Sequence, residues 1–304
     1  PMTELPSPIP LGTSEPLNAA ARLLLDQKPD ELGEIDLSRL LVVTPGARAG
    51  RQFLLSLEEE ATSSGSRFVP PRVVTPSELV FTLRGLPDLP VIDNVALRAA
   101  VASILDSEDP EIVGGIIAAG ADLLERWSVA ESILAADRSV SAAGVSWTDI
   151  AEVAATIGGE SERYLRIGDV LARTEKQLAA IGRCSDEMAK RAVLAAPVKS
   201  NHDPIEEVVL VGVVDLSKRD ESALQGWNCR VMVIADQVAG RFDAFGRLVP
   251  EVWIENPPVI PVASLNVEDK PIDEAEAVVE MLADPSLRAP ESEGLDPDSL
   301  AIVV

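Results

Sequence analysis

The chain has 304 residues, enough for two hydrophobic cores or for one core carrying a large insertion, and its 46% apolar content belongs to a packed globular protein rather than a disordered one. Aromatics make up only 3%, so the cores must be built from Leu, Val, Ile and Ala, which favours helices and parallel strands over an aromatic-rich β-sandwich. The formal net charge of −24 argues against this chain gripping a phosphate backbone unaided.

Residues 1–16 are Pro-rich and polar and read as a poorly ordered lead-in. A short helix is expected over Ala19–Leu25. Leu40-Leu41-Val42-Val43 is an apolar strand, and Ala47–Ala61 has helical spacing through Ala49, Phe53, Leu54 and Leu57. Between them lies Thr44-Pro45-Gly46-Ala47-Arg48-Ala49-Gly50-Arg51-Gln52. Strand, glycine-containing turn and helix form the context of a phosphate-binding P-loop, whose pattern is G-x-x-x-x-G-K-[ST]. Laid on it, Pro45 takes the first Gly, Gly50 matches the second, Arg51 replaces Lys and Gln52 replaces Ser/Thr. Pro45 offers no N–H and cannot take positive φ, while Gln52 puts an amide where a short hydroxyl should meet magnesium. The segment therefore reads either as a degenerate nucleotide loop or as a strand-to-helix turn capped by Thr44.

Phe68–Val74 is extended, with Pro70-Pro71 marking an edge or a bend. Thr75-Pro76-Ser77-Glu78 is a helix start, with Thr at N-cap, Pro at N1 and Glu at N3. From Asn94 to about Leu194 the apolar residues recur at helical spacing, and turn signals at Asp109-Pro110, Ala143-Gly144 and Gly158-Gly159 separate four to six helices. One of these is a long helix near Ser161–Ile181. Trp127, Trp147 and Trp227 are expected as helix-packing anchors.

The α/β pattern resumes at Glu207–Val214, an apolar run of the kind buried on both faces of a parallel sheet. A helix over Lys218–Gln225, strands at Arg230–Ala235 and Val262–Val267, a helix at Ile272–Leu282 and a final strand at Leu300–Val304 complete the series. An acidic Pro/Ser/Glu linker occupies Asp284–Asp298. The expected fold is α/β, a P-loop-NTPase-like parallel sheet with a large all-helical insertion. Residues 1–35 form the lead-in, 36–92 and 203–304 the sheet domain, and 93–202 the insertion. The last residues read as a strand cut short, so a longer protein is expected.

An ATPase of this kind also needs acidic residues after the apolar strand, for magnesium and for water. Asp215 occupies that degenerate Walker B position, but Leu216 follows it instead of Glu, and Asp215 reads as the N-cap of the next helix with Ser217 as competitor. His202 is the only histidine and reads as a loop residue, and two distant cysteines, Cys184 and Cys229, cannot hold zinc or an iron–sulfur cluster alone. No cofactor, metal or catalytic residue is expected here. The acidic runs Glu58-Glu59-Glu60 and Glu274/Glu276/Glu280 read as solvated helix faces. Arg241–Trp253 gathers two Phe, a Trp and two Arg in an aromatic-poor protein. It reads as a recognition loop or, preferably, as a satellite cluster pinning a long loop to the sheet. From Asp203 onward there are 7 basic and 21 acidic residues, which suits solubility or a basic partner. The cysteine usage suggests a reducing cytoplasm, no signal peptide is expected from Pro1-Met2-Thr3-Glu4, and no stretch approaches the ~20 apolar residues of a membrane span.

The run Leu41-Val42-Val43-Thr44-Pro45, then Ala47-Arg48-Ala49-Gly50-Arg51, then Arg72–Leu79, then Val208–Leu216 and the late Ile272–Val279 together resemble the N-terminal, helicase-like half of the AddB/RexB family, the nuclease subunits of bacterial helicase–nuclease complexes in the PD-(D/E)XK superfamily. The resemblance covers about residues 36–304. It implies a helicase-derived α/β domain without ATP hydrolysis of its own, scaffolding and guiding DNA in double-strand-break resection and recombinational repair beside a motor subunit of the AddA type. The exonuclease and iron–sulfur cluster that it implies for a full-length protein have no matching residues here. By position, Thr44, Arg48, Gly50, Arg51 and Thr75 would lie at strand ends facing DNA, weakly in view of the net charge. Two other readings stay open: an atypical P-loop-like NTPase, and an acidic α/β protein-interaction scaffold unrelated to DNA.

Overall fold

The computed structural model describes residues 7–26, 33–106, 113–196 and 205–255, Gln237 and Ala239 excepted. The elements expected at Val262–Val267, Ile272–Leu282 and Leu300–Val304, the acidic linker, and His202 lie outside the described residues. Pro1–Pro250 forms one compact unit; of a second, Glu251–Val304, only residues 251–255 are described.

The first strand, β1 (Ile9–Pro10), is followed by α1 (Pro16–Leu25), β2 (Glu34–Asp36), β3 (Leu40–Val43) and α2 (Ala47–Ser64). Next come β4 (Arg67–Val69), β5 (Arg72–Val74) and α3 (Pro76–Arg84). Five helices follow among the described residues: α4 (Asn94–Leu105), α5 (Leu123–Ala143), α6 (Trp147–Thr156), α7 (Ser161–Ala180) and α8 (Asp186–Ala195). The chain then returns to β6 (Glu207–Val211), α9 (Lys218–Leu224), β7 (Asn228–Val233) and α10 (Pro250–Glu255).

Five strands form one parallel sheet in the order β1-β7-β6-β3-β5, and β2 pairs with β4 in a separate parallel pair. All four residues of β3 and Val208–Val211 of β6 are buried, as expected of strands covered on both faces. Side chains alternate across a strand. Leu40 and Val42 of β3, Val209 and Val211 of β6 and Met232 of β7 pack with Leu24 of α1 and Phe53 and Leu57 of α2. Each fully buried Leu or Phe contributes roughly 1.5–3 kcal/mol of transfer free energy. Leu41, Val43, Val208 and Leu210 therefore face the opposite side. The right-handed crossovers β3–α2–β5 and β6–α9–β7 run in opposite directions along the sheet, which puts α2 and α9 on opposite faces; α3 packs against α9.

The Pro-rich start departs from expectation. Ile9 and Pro10 pair in register with Met232 and Val233, and Leu11 is buried. Two residues suffice because an edge strand needs hydrogen bonds on one side only. Pro70-Pro71 breaks the extended stretch into β4 and β5, which join different sheets, and β5 is an edge strand. The run expected to reach Val214 ends at Val211, where Gly212 turns to φ +64°.

The helices α4, α5 and α7 enclose their own cluster, with Val101, Ala130 and Val170 buried. The starts of α4, α5, α6 and α8 are capped by side chains. Asp93 accepts from the N–H of Val95 and Ala96, Asp122 from Glu125, Ser146 from Asp149 and Ser185 from Met188. Trp147 stacks on Tyr164 at 6.4 Å, and the Arg98 guanidinium lies 5.4 Å from the Trp127 ring centre, so both tryptophans anchor helix contacts.

Candidate functional site at the carboxyl edge of the sheet

Strands β3 and β6 are neighbours whose onward connections diverge, β3 toward β5 and β6 toward β7. Such a reversal of winding is where open α/β sheets hold ligands, outside the carboxyl ends of the strands. The turns Thr44–Gly46 and Gly212–Leu216 meet there. A Cβ added at Gly212 would lie 2.9 Å from Ile234 Cδ1 and 4.0 Å from Pro45 Cγ, so the crevice floor is covered by apolar side chains.

The expected nucleotide loop has a different geometry. Helix α2 already begins at Ala47, leaving Thr44, Pro45 and Gly46 as the whole connection from β3. The Gly50 N–H donates to the Gly46 carbonyl at 3.0 Å, a helical bond. Gly50 thus lies inside the first turn of a helix instead of closing a loop around phosphate. Its small size has a packing cause: a Cβ there would sit 3.0 Å from Val73 Cγ1 and 3.1 Å from Thr44 Oγ1. Gly46 is extended at φ −164°, so it forms no left-handed nest for an anion. Thr44 is fully buried rather than presented at the surface. Its N–H donates to the Val74 carbonyl at 3.0 Å and its hydroxyl to the Gly46 carbonyl at 3.2 Å.

Arg48, Arg51 and Gln52 are exposed on α2. Arg48 and Arg51, three residues apart, share one face of the helix. The 18-residue helix has no side-chain cap and no acidic residue in its first turn. The positive dipole end of α2 thus stands beside two arginines.

Thr75 behaves as the sequence suggests for a cap. The Glu78 carboxylate accepts the Thr75 N–H and hydroxyl, each at 2.9 Å, and those bonds hold the Glu78 carboxyl below its ordinary range. Its hydroxyl is thereby committed to the helix start. Asp215 is exposed, and the cap of α9 is Ser217, which accepts the Asp220 N–H at 3.1 Å. The expectation of Asp215 as cap is corrected because Leu216 is buried, which places the chain two residues further on before the helix turns.

The Arg241–Val249 stretch folds as a small hairpin, with Phe242 bridged to Leu248. Phe242 is buried, and Gly246 (φ +80°) sits so close to the sheet that a Cβ would meet Val231 Cγ1 at 2.9 Å and Val233 Cγ1 at 3.2 Å. Burial pushes the Asp243 carboxyl up, but hydrogen bonds from Arg247 and Phe245 outweigh this and hold it below its ordinary range. Arg247 also pairs with Glu221 of α9 at 2.8 Å. The packing reading of this stretch therefore accounts for Phe242, Gly246 and Arg247.

Sequence reading missed a charged interior between the helices. A cavity of about 580 Å³ is bordered by Ile92, Leu134, Leu171, Asp137, Glu175 and Glu187. Trp147 Nε1 donates to Asp137 Oδ1 at 2.9 Å, Arg191 pairs with Glu175, and Arg219 of α9 pairs with Glu187. Burial raises both the Glu175 and the Glu187 carboxyl above the ordinary range despite those arginines. The available signal was Asp137 falling on the same helical stripe as the buried Ala130, Ile133, Leu134 and Ser141.

Among the described residues, no group of three His, Cys, Asp or Glu is arranged to hold a metal ion. Nor is any helix there long and apolar enough to cross a membrane. No protein-family model matches this chain, and no curated protein matches it.

Proposed function

We propose that this chain is a non-catalytic, helicase-like region of an AddB-type subunit. In this reading it scaffolds and guides DNA in break resection beside a motor subunit of the AddA type, in the cytoplasm. The observation that carries the reading is the pairing of exposed Arg48 and Arg51 with the uncapped start of α2, at the winding reversal of the sheet, where the connection is too short to cradle a nucleotide. Backbone N–H groups and arginines on one helical face suit a phosphate of a nucleic acid backbone. Thr44 and Gly50 then act as positioning residues that let α2 lie close to β5. With a net charge of −24, the contact contributes guidance rather than tight grip.

That same charge favours one competing reading, an acidic scaffold that docks a basic protein and has no role on DNA. The two separate in an anisotropy titration of a labelled blunt duplex. The DNA reading expects weak binding whose log–log salt slope flattens by about 2 in the Arg48→Ala/Arg51→Ala variant, roughly one unit for each phosphate no longer neutralised. Binding that is absent at low salt, or indifferent to both arginines, refutes it.

A further inference from the structure

The cavity of about 580 Å³ bordered by α4, α5, α7 and α8 has two kinds of wall. Ile92, Leu97, Leu134 and Leu171 supply apolar surface, and Asp137, Glu175 and Glu187 supply carboxyls. The other acidic groups on its border are engaged elsewhere: Glu131 pairs with Arg98, Asp186 pairs with Lys190, and Asp93 caps α4. Glu175 and Glu187 each give one oxygen to an arginine, Arg191 and Arg219 respectively. Asp137 differs from both. It is only 6% exposed, and its Oδ1 accepts the Trp147 indole N–H at 2.9 Å. Among the described residues its Oδ2 meets no donor and the carboxyl meets no cation. Arg138, the remaining basic residue on the border, is exposed and pairs with none of these carboxyls.

We infer that this cavity binds an amphipathic organic amine, with its ammonium on Asp137 and its apolar body against Ile92, Leu97, Leu134 and Leu171. A buried carboxylate without a counter-charge is costly, and a ligand ammonium offsets that cost while donating to Oδ2. Burial raises the Glu175 and Glu187 carboxyls, and the Asp137 charge adds to the rise at each, so the three groups form one electronegative wall. That wall repels anions. Among the described residues no three acidic groups are arranged to hold a metal ion, so a compact divalent cation does not match the site. Leucine and isoleucine surface beside a single uncompensated charge instead suits a molecule with one cationic end and a hydrocarbon body. The volume lies within the roughly 300–1,000 Å³ of small-molecule sites. The site shares no residue with the arginine face of α2, so its test and that of the DNA reading succeed or fail separately.

The Trp147 indole N–H, bonded to Asp137, is a built-in reporter. Its resonance is followed in proton–nitrogen correlation spectra of the whole chain, assigned with Trp147→Phe, during titration with 2-phenylethylamine. A saturable shift is expected, weakened at least about tenfold in Asp137→Asn because a charge-assisted hydrogen bond is lost. Glu58→Gln/Glu59→Gln removes two exposed charges on α2 and is expected to leave the titration unchanged. Two further probes on the parent protein keep the test decisive if Asp137→Asn does not fold. 2-Phenylethanol keeps the body without the charge, methylamine keeps the charge without the body, and each is expected to bind at least about tenfold more weakly. No saturable shift in the parent overturns the inference. So does a loss in the α2 control equal to that in Asp137→Asn, or equal binding of either comparison probe.

Discussion

Replacing Gly246 by Ala tests whether the Arg241–Val249 hairpin is pinned to the sheet by close packing. The backbone there is left-handed at φ +80°, which costs a residue with a Cβ about 1–2 kcal/mol. The new methyl would stand 2.9 Å from Val231 Cγ1 and 3.2 Å from Val233 Cγ1. Both neighbours are β-branched strand residues with little rotamer freedom, so overpacking adds about 1–3 kcal/mol. The stiffer unfolded chain returns about 0.4–1 kcal/mol. The net loss is roughly 1.5–4 kcal/mol, a fall in Tm of about 3–15 °C for a protein of this size. Gly240→Ala is the matched control. Its φ of +72° carries the same backbone cost, but nothing lies within 4 Å of the added Cβ, so a loss of only about 1 kcal/mol is expected. Thermal denaturation followed by circular dichroism reads both. Equal losses in the two variants would show that the hairpin is not seated on Val231 and Val233.

Two further predictions concern titratable groups. The Glu187 carboxyl is raised in the folded state by burial, so the folded protein binds that proton more tightly than the unfolded chain does. Its contribution is fully present below the ordinary glutamate value and is lost as pH rises through the folded value. Glu187→Gln should therefore flatten the decline in unfolding free energy over that interval in urea titrations, and an unchanged slope would contradict the assignment. Burial, aided by Glu207, pushes the Cys229 thiol up to about 11, so iodoacetamide at pH 8 should label Cys229 in the native protein far more slowly than in urea. Comparable labelling rates in mass spectrometry would count against that environment.

The sheet strands were legible because they are covered on both faces. Leu40–Val43 and Val208–Val211 needed uninterrupted apolar residues, which the sequence supplies. The helix start at Thr75 was legible from local capping chemistry, which depends on neighbours in sequence. Strand β1 was not, because Ile9-Pro10 is held by β7, more than two hundred residues away in sequence, and two residues carry no periodicity. The turn after β3 misled for a related reason. Gly50 matches a phosphate-loop glycine by spacing, yet its small size answers to Val73 and Thr44, a contact set by the pairing of β3 with β5. The buried Glu187–Arg219 pair joins α8 to α9 across the chain, and neither residue stands out among the many charges of an acidic sequence.

The central claim is that the start of α2, after the Thr44–Gly46 connection, presents arginines to a macromolecule and does not cradle a nucleotide. Isothermal titration of the chain with magnesium and ATP tests it most directly. A three-residue connection into α2 predicts no saturable heat up to millimolar ATP, in the parent and in Arg51→Ala alike. Saturable binding in the parent that is lost in Arg51→Ala would contradict the account.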